Sequence, residues 1–85
     1  MVSAKHTRTL AAIFANPVRA DLRWTGIETL FLALGADIKQ GAGSRVRVTL
    51  NNRRMTFHTP HPQPTIAKDA VRSVRRFLSE AGISP

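Results

Sequence analysis

The chain is 85 residues long, which allows one domain, since single cores stop growing only near about 250 residues. With 42% hydrophobic and 21% charged residues it is globular and not disordered. The absence of cysteine excludes a disulfide framework, a Cys-ligated zinc site and a thiol nucleophile.

The longest uninterrupted apolar runs, Leu10 to Ala15 and Leu30 to Leu34, fall far short of the roughly 20 residues that span a bilayer. No signal peptide is visible, so a cytoplasmic protein is expected. The formal charge of +8 is unevenly spread. Residues 1–43 carry five basic groups against three acids, whereas residues 44–85 carry eight against two. Such concentration points to a polyanionic partner, most simply nucleic acid, although an acidic protein or a membrane surface satisfies the same arithmetic.

In chain order, Ala4 to Ala15 places His6, Leu10, Ile13 and Phe14 on one face of a helix. Asn16-Pro17 stops it, because proline lacks the amide. Residues 1–23 thus read as a helical extension and connector, and residues 24–85 as the main domain. Thr25-Gly26-Ile27-Glu28 fits a capping box. Ile27, Leu30, Phe31 and Leu34 follow as an inward stripe, and Gly35 ends the helix.

Ala36 to Gln40 suits a short strand. From Ser44 the period becomes two: Val46, Val48 and Leu50 point one way, Arg45, Arg47 and Thr49 the other. Asn51-Asn52 tolerates positive φ and suits a two-residue hairpin turn. Counting outward from it sets Arg45 opposite His58, Val46 opposite Phe57, Arg47 opposite Thr56, Val48 opposite Met55 and Thr49 opposite Arg54. Apolar pairs then share one face and polar pairs the other. After a proline-rich loop, Thr65 is an N-cap for a helix running to about Ala81, with Gly82 as its stop. Its apolar stripe is flanked by a basic one, Lys68, Arg72, Arg75 and Arg76. The expected fold is α+β, α-β-β-β-α after the extension: two helices on one face of a three-stranded antiparallel sheet whose other face is open.

That open face displays Arg45, Arg47, Thr49, Arg54, Thr56 and His58. Basic residues on a strand also guard against aggregation, but like charges across a hairpin cost stability, and a phosphate backbone would compensate them. The stripe on the last helix is either an ordinary wet face or a phosphate contact. His58 and His61 lack a nearby carboxylate or cysteine and make a poor metal pair. A histidine beside arginines and a phosphodiester instead suits acid–base cleavage of RNA. Trp24, the single tryptophan, reads as a packing residue.

The order of motifs resembles the HicA family of bacterial toxin–antitoxin systems. It is carried by a helix ending in Leu34-Gly35, a strand led in by Gly43-Ser44, a hairpin reaching Pro60-His61-Pro62, and a helix with Lys68 near its start and Ala81-Gly82-Ile83 at its end. The resemblance covers about residues 24–83. It implies a fold similar to a double-stranded-RNA-binding domain and the activity of a metal-independent mRNA endoribonuclease, needing no cofactor. It further implies a type II system in which a HicB-like antitoxin masks the toxin. The family's catalytic histidine normally follows the Gly-Ser or Gly-Gly lead-in, where this chain has Arg45. His58 or His61 then becomes the candidate acid–base group, with Arg45 on the scissile phosphate. Ser44, Arg47, Arg54, Thr56, Lys68, Arg72, Arg75 and Arg76 are the candidate RNA contacts. The alternative is a non-catalytic RNA- or protein-binding module of the same fold.

Overall fold

The structure, a computed structural model, describes residues 3–60 and 64–85. In chain order it contains α1 (Ala4–Ile13), α2 (Trp24–Ala33), β1 (Asp37–Gln40), β2 (Arg45–Leu50), β3 (Arg53–His58) and α3 (Lys68–Glu80). The strands form one antiparallel sheet in the order β1-β2-β3. The expected α+β architecture, with its N-terminal helix, is therefore present.

Pattern and register in the hairpin agree. The β2–β3 ladder pairs Arg45 with His58, Val46 with Phe57, Arg47 with Thr56, Val48 with Met55 and Thr49 with Arg54. Asn51 and Asn52 both have positive φ, 50° and 67°, as a turn matching the right-handed strand twist requires. Val46, Val48, Leu50 and Phe57 are buried against the helices, whereas Arg45, Arg47, Arg54, Thr56 and His58 are exposed. A register slip of one residue would exchange these faces, and burial of the valines opposes it.

The core between sheet and helices is aromatic at its centre. Phe31 stacks on Phe57 at 5.9 Å and meets Phe77 edge-on at 5.7 Å. Trp24, buried as expected, lies 6.2 Å from Phe31 and 5.9 Å from Phe57. Offset and edge contacts of this kind add to the hydrophobic gain of burial. Leu10, Ile13 and Leu22 belong to the same core. The inner face of α1 is thus built into the molecule, against α2 and α3.

Both expected helix N-caps are corrected. α2 begins at Trp24, one residue before the expected cap, and Arg23 at its N-cap makes no side-chain bond. α3 begins at Lys68 after Ala67, and again no side chain caps it. The cause is tertiary pairing between the two approaches. Trp24 N–H donates to Pro64 O at 3.1 Å, Ile66 N–H donates to Leu22 O at 3.0 Å, and Arg23 bridges Thr65. Thr65 is thus held in this short ladder, and an amide at the α2 start finds its partner there and not on a local hydroxyl. The helix ends conform: Ala36 N–H reaches Phe31 O and Ile83 N–H reaches Leu78 O, both at 2.9 Å, around Gly35 and Gly82.

Candidate nucleic-acid interface

Alternation along three paired strands sorts the open face of the sheet into rows. The first row is Arg45 and His58. The second is Lys39, Arg47 and Thr56, and the third is Asp37, Thr49 and Arg54. All of these side chains are exposed except Thr49, which is half-buried. Rows two residues apart along a strand are separated by about 6.6 Å.

The first row is clamped from both sides. Gly41 N–H donates to Arg45 O at 2.8 Å and Arg45 N–H donates to Ala42 O at 3.4 Å, so the β1–β2 connection folds tightly over the start of β2. Gly43 sits in that connection at φ +65°, a left-handed conformation that a side chain disfavours. Beyond the row, Ser44 O accepts from both the Thr59 amide at 2.8 Å and the Thr59 hydroxyl at 3.0 Å. Ser44 itself is exposed, and its backbone carbonyl is what fastens the ends of β2 and β3 together.

Electrostatically the face is unbalanced. Among the described residues the ion pairs are Arg19–Asp21 at 2.6 Å and Arg76–Glu80 at 3.4 Å. Neither touches the sheet, so Lys39, Arg45, Arg47 and Arg54 have no carboxylate at ion-pair distance. Asp21, held by two bonds from Arg19, has its carboxyl below the usual range, but it is exposed and far along the chain from these rows. Unpaired cations on a surface stay hydrated and available to an anion.

Besides a depression of about 290 Å³ over Asp37, Lys39, Arg47, Thr49 and Arg54, two others flank the rows. One, of about 570 Å³, lies between β3 and the approach to α3, where His58 and Thr56 share its wall with Asp69 and Ser73. The other, of about 350 Å³, lies over the β1–β2 connection and is lined by Lys39, Gly41, Arg45, Arg47 and Thr56. His61 falls outside the described residues. Among the described residues no group of three or more His, Asp or Glu side chains could hold a metal ion.

The expected contacts on the last helix are not brought to this face. Lys68, Arg72 and Arg76 are exposed on the solvent side of α3, and Arg76 is engaged by Glu80. Arg75, expected among the RNA contacts, bonds within the protein. Its guanidinium donates to Ile13 O at 3.0 Å, Ala15 O at 2.8 Å and Asn16 Oδ1 at 3.2 Å, and lies 5.9 Å from the Phe14 ring centre. It fastens the end of α1, each of its three nitrogens donating one bond there.

Sequence reasoning missed three residues. Lys39 and Asp37 join the open face because β1 pairs along β2, a signal present in their i, i+2 spacing within a short strand. Asp69 comes to the same cleft as His58 only through the packing of α3 on β3, for which the spacing holds no signal.

Among the described residues no helix is long and apolar enough to cross a membrane. No curated protein and no solved structure matches the chain. A sequence model of a protein family, described as the HicA toxin of bacterial toxin–antitoxin systems, matches residues 24–83. That span takes in α2, all three strands and α3, and its fold is the one the rows of Arg45 and His58 are built on. The chain belongs to the HicA family of toxins.

Proposed function

We propose that this toxin binds RNA on the open face of its sheet and cleaves mRNA in the cytoplasm without a metal ion, and that a HicB-like antitoxin neutralises it by covering that face. One observation carries the reading: Arg45, at the position of the family's usual catalytic histidine, is the direct cross-strand partner of His58. An imidazole thus stands beside that position on the neighbouring strand, at the same register level.

In this reading the arginines and His58 divide the work. A guanidinium is a donor only, so Arg45 and Arg47 serve binding and not proton transfer. Arg45 holds the scissile phosphate and offsets the charge that develops on its oxygens, a task for which the guanidinium fork is shaped, and Arg47 contacts the backbone beside it. His58 takes the proton of the ribose 2′-hydroxyl, whose oxygen forms a bond to the adjacent phosphorus. The bond to the 5′ oxygen breaks, and that oxygen receives the proton His58 has taken up. The products are a 2′,3′-cyclic phosphate and a 5′-hydroxyl. An imidazole can act first as base and then as acid, which suits it to both proton transfers.

The same Arg45 supports a second reading, a non-catalytic module that binds RNA and has lost cleavage. Incubation of a long single-stranded RNA with purified protein in EDTA separates the two. The first reading expects cleavage that His58→Ala lowers by about 10²- to 10⁴-fold and that His61→Ala leaves nearly intact. Salt-sensitive binding without cleavage establishes the second. Loss of cleavage in His61→Ala alone would move the acid–base role to that residue.

A further inference from the structure

We propose that Lys39, with Arg47 and Thr56, forms a second phosphate subsite that holds the phosphate neighbouring the one at Arg45 and His58. The inference rests on the RNA-binding reading above and assigns a place for the backbone within it.

Three observations converge on it. Lys39, Arg47 and Thr56 lie on three adjacent strands at one register position, Lys39 paired with Arg47 and Arg47 with Thr56. They line one concave depression of about 350 Å³, which Arg45 of the neighbouring row joins at its edge and so links the two rows. No acid lines that depression, and neither cation has a carboxylate at ion-pair distance among the described residues. Two cations and a hydroxyl donor around a concavity are the chemistry of a phosphate group, as charge-assisted bonds to its oxygens replace water.

The spacing extends the argument. The row of Lys39 lies about 6.6 Å from the row of Arg45 and His58, comparable with the step between successive phosphates of an extended single strand. The two rows therefore read one backbone at consecutive positions. The next row brings Asp37 beside Thr49 and Arg54, and its carboxylate opposes a third phosphate. The track is short and runs from the Lys39 row across the Arg45 row.

Binding of a non-cleavable RNA, carrying 2′-O-methyl groups throughout, tests this apart from catalysis. Lys39→Ala should weaken binding about fivefold at 0.1 M salt and reduce the slope of log K against log salt by about 0.7, the value for one phosphate on a single strand. Lys39→Arg should restore both. Lys5→Ala removes the same charge from α1 and should change neither by as much. A scan of RNAs with one uncharged methylphosphonate linkage each should show one position at which wild-type binding weakens and Lys39→Ala binding does not. If the wild-type protein binds RNA but Lys39→Ala matches it in affinity and slope, the subsite is wrong and the RNA-binding reading stands. If the wild-type protein binds no RNA, both fall.

Discussion

Asn51 serves two structures at once. Its backbone adopts φ of 50° in the hairpin turn, and its side-chain amide donates to Ala81 O, at the end of α3, at 2.8 Å. Asn51→Gly keeps the turn and loses the bond, which should lower unfolding stability by about 1 kcal/mol. Asn51→Ala loses the bond and strains the turn as well, so a loss of about 2 kcal/mol is expected from urea unfolding. The turn was legible in the sequence because positive φ is a local property of Asn-Asn. The bond to Ala81 was not, because its partner lies 30 residues away. The same contrast holds at the interface. Arg45, Arg47 and His58 could be placed by counting from the turn, whereas the spacing of Asp37 and Lys39 shows only that they share a face of β1, and their rows come from the β1–β2 register.

Between elements, Arg75 shows how a helical stripe misleads. By spacing it belongs with Lys68, Arg72 and Arg76, yet its partners are Ile13 O in the last turn of α1 and Ala15 O and Asn16 Oδ1 just beyond it. A cation there also meets the negative end of the helix dipole. Arg75→Ala leaves partly buried carbonyl groups without a donor and should cost about 2–3 kcal/mol, read by thermal or urea unfolding. Amide exchange should quicken most in α1. Arg75→Lys should recover only part of the loss, since one ammonium cannot reproduce the planar fork across three acceptors. Periodicity does reveal which face of each helix is buried: Ile27, Leu30 and Phe31 in α2 and Val71, Val74, Phe77 and Leu78 in α3. It does not reveal where α2 and α3 begin. The two expected caps, at Thr25 and Thr65, yielded to a ladder between residues 22–24 and 64–66, and competition of that kind is invisible to local propensity.

At the scale of the whole molecule, the helices shield one face of the sheet and leave the other to solvent. The buried valines of β2 fix the orientation of the arginines between them, so hydrophobic patterning is what aims the charge. A net +8 draws any polyanion to the surface, but only the open face combines unpaired cations with an imidazole across from Arg45. Under the proposal, an antitoxin carrying acidic groups would meet the same complementarity, and its masking of the face would then exclude RNA. The account turns on His58 as the group that moves the proton. The most direct test is the single-turnover cleavage rate of RNA in EDTA by His58→Ala, with and without free imidazole. The account predicts that the variant is slowed by at least about 10²-fold, and that imidazole restores part of the rate while RNA affinity stays unchanged. Cleavage by His58→Ala at the wild-type rate would contradict it.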